Sequence, residues 1–319
     1  MDKLLLIDAN NLCYAGMVIG PMTNPKGERV DIPFITLKIL SKIVRNHRPD
    51  QIVAVWDGGR SKHRLTVFPE YKATHTTATS PDEPKFQVYH QRELVKEIFS
   101  LLGIVNLEYD GYEADDLLYR SWLAWSRECL ILSTDSDFQQ LLDQRTWIID
   151  RKNDRLFSAA DFFEKWGFPS DLFAHHKSLT GDGSDDIPGI HLVGEGTATK
   201  LCHYAYENHR DNLILGIREA AIKVPRAGRV AEADNWIIFK RNLRLILLSL
   251  EPMESEVETA LRDLVWTKLP YREEEVIKYL QRHGMVSLVE NYHRWIKPFD
   301  PSSNFHDSDL LDSIPPGVV

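Results

Sequence analysis

Nine carboxylates recur along the first three fifths of the chain in five groups: Asp8; Asp57; Glu113, Asp115 and Asp116; Asp135 and Asp137; Asp182 and Asp185. One acidic pair is weak evidence of chemistry, because surface acids are common. Five groups are harder to dismiss. Carboxylates gathered in one pocket repel each other and raise one another's pKa values, and divalent cations relieve that repulsion. An oxygen-only donor set suits Mg²⁺, with Mn²⁺ able to substitute, rather than Zn²⁺. Two such ions about 4 Å apart can activate an attacking water and stabilise a leaving oxygen, the chemistry of phosphodiester cleavage. The plain alternative is that the acids cap helices and solvate turns. It applies best to Glu113, Asp115 and Asp116, which stand where a helix begins, and to Asp186, which reads as a cap of the turn before Pro188.

The elements that must position these acids alternate. Leu4–Asp8 is an apolar run ending in an acid, as expected of a buried parallel strand. Helical spacing follows over 34–46, a strand over 51–57, a helix over 86–102, a strand over 104–109, a helix over 112–127, and strands over 130–133 and 147–150. Alternation of this kind predicts an α/β fold with a mostly parallel sheet, whose ligands bind outside the carboxyl ends of the strands. Asp8, Asp57, Asp135 and Asp137 fall at or just after strand ends, and the 113–116 cluster opens the helix after the strand at 104–109. Placement, more than number, makes the acids a candidate site. Beyond about residue 160 the pattern is almost wholly helical, with Gly189, Gly194 and Gly196 preceding one helical run.

The net charge of −9, from 38 basic and 47 acidic residues, argues at first against a nucleic-acid partner. Nine clustered carboxylates account for that whole excess, so the distribution of charge matters more than its sum. No apolar run approaches the roughly 20 residues that span a bilayer, and the Leu4–Ile7 run lacks the layout of a signal peptide. Cys13, Cys129 and Cys202 are odd in number and share no metal-type spacing, so they read as reduced thiols of a cytoplasmic protein. A length of 319 residues suits one large domain or two linked ones.

Six segments carry a more specific likeness: LLLIDANNLCY (4–14), VWDGGRSKHR (55–64), FPEYKATH (68–75), GYEADDLL (111–118), STDSDFQQLL (133–142) and SLTGDGSDDIPGI (178–190). In this order they resemble the flap endonuclease/5′→3′ exonuclease family, which includes the nuclease domain of bacterial DNA polymerase I and stand-alone phage enzymes. The resemblance implies a PIN-like nuclease domain over 1–180, a helical arch at about 60–90, and a helical helix–hairpin–helix DNA-binding region over 181–298. Residues 299–319, rich in Pro, Ser and Asp, are expected to form a disordered tail. The family pattern divides the ligands. Asp8, Asp57, Glu113 and Asp115 fall nearer the scissile phosphate, and Asp116, Asp135, Asp137, Asp182 and Asp185 at the second position. Lys72 matches the family's active-site lysine and Arg64 an upstream arginine, cations that would hold the phosphate and stabilise transition-state charge. Lys177, five residues before Asp182, matches another basic position. Tyr14 matches a family tyrosine and equally suits a packed core.

Arg60, Lys62, His63, Arg64, Lys72 and Lys85 give the arch segment a basic character. Gly189, Gly194, Gly196 and Thr197 would grip a duplex backbone through N–H groups without reading sequence, with K⁺ as a further implied ion there. The chain departs from the family at His75 and Gly196, where basic residues are common, and at Leu192, where glycine is. The implied reaction leaves a 5′-phosphate and a 3′-hydroxyl, on DNA with a 5′ flap or 5′ end and on RNA–DNA primer hybrids, by a monomer in replication or repair. A stand-alone enzyme, with no polymerase domain following, is the expectation. Two rivals share parts of the pattern. A PIN-type ribonuclease needs neither arch nor hairpin, and a non-catalytic DNA-binding scaffold has no need of intact acids. A phosphatase with DxD after its first strand is a poor fit, because the sequence there reads Asp8-Ala9-Asn10.

Overall fold

The computed structural model describes residues 2–17, 20–75, 80 and 83–302. Six strands form one sheet: β1 (Lys3–Asp8), β2 (Gln51–Val55), β3 (Val105–Leu107), β4 (Glu128–Leu132), β5 (Thr146–Asp150) and β6 (Arg155–Phe157), in the order β3-β2-β1-β4-β5-β6. β1 pairs in parallel with β4, from Lys3↔Glu128 to Ile7↔Leu132, and β4 in parallel with β5. β6 returns antiparallel, with Asp150 opposite Arg155. Leu4, Leu5, Leu6 and Ile7 are all fully buried, so both faces of β1 are covered, and each side chain contributes about 1.5–3 kcal/mol. That burial fixes where the strand ends, and so where Asp8 stands.

The strand order reverses between β1 and β4. The chain builds β2 and β3 outward on one side of β1, then crosses to place β4 on the other. A crevice forms at such a reversal, outside the strand ends. Asp8 closes β1, and Asp135 and Asp137 follow β4, so both carboxylate groups belong to the reversal point.

The structure trims and adds to the expected elements. β3 is three residues long, and the helix expected over 112–127 runs Ala114–Ala124. Helix Ala9–Gly16, strand β6 and a two-stranded ribbon (Gly181–Asp182 with Ile187–Pro188) have no counterpart in the sequence reading. The arch segment holds a short helix, Lys62–Val67, and turns as far as His75. Its middle, at 76–79 and 81–82, lies outside the described residues, and helix Pro84–Leu101 starts beyond it. The expected tail is described only to residue 302, where Lys297 pairs with Asp300 at 2.5 Å. Cys13, Cys129 and Cys202 are buried. Among the described residues no helix is long and apolar enough to cross a membrane.

Two compact units emerge, interleaved along the chain. One comprises the described residues of 1–11, 53–78 and 107–267, the other those of 12–52, 79–106 and 268–319. The expected boundary near 180 falls inside the first unit. In the second, Asp31 opens helix Asp31–His47 fully buried, held by the Arg29 guanidinium at 2.7 and 2.9 Å and by the Gln91 amide. Those bonds keep its carboxyl below the usual range against the opposing effect of burial.

Candidate active site

All nine candidate carboxylates lie in the first unit. Asp8 Oδ1 accepts the Asn11 N–H at 3.1 Å and Oδ2 the Ser133 hydroxyl at 2.8 Å. The Ser133 hydroxyl oxygen accepts in turn from the Asp135 N–H at 3.0 Å. Asn11 and Thr134 bond reciprocally, tying the residues after β1 to those after β4. Asp135 Oδ1 accepts the Asp137 N–H at 2.8 Å and caps the short helix Ser136–Leu141. Asp57 accepts the Ala114 N–H at 2.8 Å, at the start of helix Ala114–Ala124, and the Asn10 amide. Capping and site formation are thus two jobs of the same carboxylates.

Glu113 sits on the crowded side. It is 3% exposed and accepts from the Ser61 N–H, the Tyr71 hydroxyl (2.8 Å) and the Lys72 ammonium (2.6 Å). Arg64 lies beneath. It forms a two-pronged pair with Asp116 at 2.7 and 3.1 Å, reaches Glu113 at 3.4 Å and donates to the Leu245 carbonyl. With Arg64 2% and Asp116 1% exposed, neither side chain is presented to a phosphate or to an ion at the surface. The structure therefore brings both against Glu113, but on its buried side. Sequence shows that Arg64 is charged, not that the charge is consumed.

Two lysines each span two carboxylates. Lys72 Nζ lies 2.6 Å from Glu113 and 3.6 Å from Asp185. Lys177 Nζ pairs with Asp137 and, at 2.5 Å, with Asp182. Lys72 is also held by its backbone, its N–H donating to the Asp185 carbonyl at 3.0 Å with φ at +51°, a left-handed conformation that costs a non-glycine residue about 1–3 kcal/mol. The neighbouring turns are stitched on by Thr74, whose N–H and hydroxyl both donate to Asp186, and by His75, whose ring bonds the Ser184 carbonyl.

Burial and like charge act together on these acids. Burial first, and then the charge of Asp57, push Asp8 up to about 7; burial and Asp135 push Asp137 up to about 7 against the pull of Lys177. Asp115 is raised by burial and by Asp135, and Asp185 by burial. Burial pushes Glu113 and Asp182 up, but Lys72, Arg64 and Tyr71 together bring Glu113 below the usual range, as Lys177 and the Ser184 hydrogen bonds do Asp182. Asp137, Asp182 and Asp185 each offer an oxygen within 4.8 Å of the others. Arg64, Lys72 and Lys177 pair with the nine acids, and Arg151 acts on Asp8 through its charge. Carboxylates still outnumber these cations, and the surplus charge with an all-oxygen donor set fits a hard divalent cation.

The expected duplex-contact residues divide by physical role. An added Cβ at Gly189 would stand 2.2 Å from the Thr180 carbonyl oxygen, so that glycine is required by close packing. At Gly194 and Gly196 a Cβ would meet nothing within 4 Å. Gly194 is the cap of helix Glu195–Asn208 and accepts from the Thr197 N–H. Its first turn is open to solvent, though Glu195 puts a negative charge there. Leu192 is 74% exposed at φ +65°, which explains physically why glycine suits that position. Tyr14 is 42% exposed rather than packed in a core. The sequence reading missed Asn10, Asn11, Tyr71 and Ser133 as supports of the acids; of these, only Tyr71 gave a signal, its place beside Lys72.

The family model for the 5′-3′ exonuclease, N-terminal resolvase-like domain, matches residues 3–167, just over half of the chain. The thermostable DNA polymerase I of Thermus aquaticus is 34% identical over 203 residues, 62% of this chain and 23% of that protein. The chain thus spans about a quarter of the length of the polymerase relatives it matches. A 5′-3′ exonuclease of Aquifex aeolicus is 29% identical over 205 residues, 63% of this chain and 69% of that one. Among solved structures, the T5 5′-exonuclease with divalent zinc bound superposes with a TM-score of 0.60 at 19% identity, covering 82% of this chain and 98% of that one. Flap endonuclease-1 from Methanococcus jannaschii gives 0.53 at 18% identity, covering 94% and 91%. At these identities the two structures establish the fold: a mostly parallel sheet flanked by helices.

Proposed function

We propose the reaction from one premise: the chain belongs to the 5′-3′ exonuclease family. It is a divalent-metal-dependent 5′-nuclease that hydrolyses phosphodiesters at DNA 5′ ends and flaps, and in RNA–DNA primer hybrids, leaving a 5′-phosphate and a 3′-hydroxyl. The observation that carries this reading is the convergence of carboxylates from five stretches of chain on one sheet reversal, with Lys72 and Lys177 inserted between them.

Asp137, Asp182 and Asp185 would hold one ion, and Asp8, Asp57, Glu113, Asp115 and Asp135 the other, with Mg²⁺ the choice an oxygen-only set favours. Bound there, the ions supply the charge that activates water and stabilises the leaving oxygen. The chain's own residues do the rest. Ser133 and the Asn11 N–H fix both oxygens of Asp8, and Asn10 orients Asp57. Lys72, half-buried and rigidly seated, stabilises charge on the reacting phosphate. Arg64 acts indirectly, holding Asp116 and Glu113 at the head of helix Ala114–Ala124. Gly194 and Gly196 offer backbone N–H groups to a duplex, with the Thr197 hydroxyl beside them because its N–H is held by the Gly194 carbonyl, and the basic arch residues steer a 5′ strand.

An end-labelled 5′-flap duplex and a single-stranded RNA, each with and without Mg²⁺, test the reading. Wild type is expected to cut the flap with Mg²⁺ only. Asp135→Ala should lose at least 100-fold in rate, and Lys72→Ala should lose rate with substrate affinity kept. Equal cutting by Asp135→Ala sinks the metal assignment, and preferential cutting of the RNA sinks the DNA one.

A further inference from the structure

A cavity of about 500 Å³ opens beside Asp135, between the carboxyl ends of β4 and β5. Its wall runs from Ser133 and Asp135 past Gln139 to Arg151, Lys152 and Lys165. Unlike the carboxylate pocket, this wall carries a slight basic excess, with Arg151, Lys152 and Lys165 against Asp135 and Asp150. Two of its polar atoms are buried without a hydrogen-bond partner among the described residues: Arg151 Nη1, a cationic donor, and Gln139 Oε1, a neutral acceptor. A buried polar atom left unpaired costs about 1–3 kcal/mol, and such atoms in a folded protein call for an explanation. Here both orphans belong to residues that line the same cavity, and that cavity shares Asp135 with the carboxylate cluster.

The two atoms describe what would complete them. Arg151 feels the charge of Asp8 but has no hydrogen-bonded acceptor at Nη1, and a phosphate matches a guanidinium in charge and geometry. Gln139 needs an N–H or O–H donor, which a bare phosphate dianion lacks. A divalent cation is excluded by the guanidinium itself. A nucleotide carries both features, an anionic phosphate and donors on its sugar and base. Phe157, half-buried in the same wall, offers a flat apolar face against which a base can lie.

We propose that this cavity is a nucleotide subsite next to the scissile phosphate, with Arg151 gripping the phosphate of the adjoining nucleotide and Gln139 accepting from its sugar or base. The assignment rests on the 5′-nuclease reading and deepens it. Lys152 and Lys165, exposed at the rim, attract the strand without fixing it, as surface lysines do.

The test separates the subsite from the reading on which it rests. Thymidine 5′-monophosphate and inorganic phosphate are titrated calorimetrically into the whole protein in EDTA, with wild type, Arg151→Gln, Arg151→Lys and Gln139→Ala. Wild type should bind the nucleotide at least about tenfold more tightly than phosphate. Arg151→Gln should weaken nucleotide binding about 10- to 100-fold, the range of one charge-assisted hydrogen bond. Arg151→Lys should recover part of that loss, and Gln139→Ala should weaken the nucleotide but not phosphate. Unaltered nucleotide affinity in Arg151→Gln, with a wild-type melting curve, overturns the subsite. So does phosphate binding as tightly as the nucleotide. In flap cleavage, Arg151→Gln should raise KM about tenfold. A wild-type protein that binds the nucleotide yet cuts no flap would defeat the nuclease reading and leave the subsite standing.

Discussion

At the scale of single residues, Arg64 carries the sharpest distinction between charge and role. A buried guanidinium facing Asp116, Glu113 and, at 3.9 Å, Glu251 is stable only with its partners in place. Removing one member of such a network leaves uncompensated charges and costs about 3–5 kcal/mol. Arg64→Ala is therefore expected to lower the urea midpoint sharply, and Arg64→Lys to recover only part, because an ammonium cannot reproduce the two-pronged contact. A direct phosphate contact predicts the opposite pattern: normal unfolding and weaker DNA binding. The sequence could not decide between these, since basic neighbours at Arg60, Lys62 and His63 give Arg64 the look of a surface residue. Lys177 and Asp137 stand 40 positions apart, so their pairing was equally hidden.

At the scale of elements, the continuous apolar runs were readable because burial on both faces leaves no polar alternation to confuse them. Leu4–Ile7, Gln51–Val55 and Cys129–Leu132 all became strands with acids at or just beyond their ends. What escaped was short or made of backbone. β6 has three residues, and the ribbon beside Asp182 depends on glycines whose fit is a matter of close approach. The turn after that ribbon yields a paired prediction. Gly189→Ala drives a methyl into the Thr180 carbonyl and should destabilise by about 2–3 kcal/mol. Leu192→Gly relieves a left-handed residue worth about 1–2 kcal/mol and loses about 0.5–1 kcal/mol to chain freedom. It should leave the protein as stable as wild type or slightly more so. Thermal melts of both variants check this; destabilisation by Leu192→Gly beyond about 1 kcal/mol would show that its side chain, not its backbone, matters.

At the scale of the whole molecule, the charge surplus ties stability to both pH and metal. Asp8 and Asp137 hold protons up to about pH 7 in the folded state, whereas in the unfolded chain they release them near 3.9. Between those values the folded protein binds more protons than the unfolded one, so their contribution to stability falls as pH rises. His175, kept neutral by burial and lowered to about 4, titrates in the opposite sense, so the raw pH optimum is not a clean readout. The Mg²⁺-induced rise in Tm is. It should be several degrees larger at pH 8 than at pH 5.5, and Asp137→Asn should flatten the difference; equal increments at both pH values would contradict a carboxylate site for the ion. The interleaving of the two units has a different consequence, one that concerns synthesis. Neither unit is a continuous stretch of chain, so no single cut yields the cleft as a minimal fragment. A ribosome must also deliver Asp185 before Lys72 has its second carboxylate, and Glu251 before the surroundings of Arg64 are closed. Competence therefore waits until synthesis has passed residue 251.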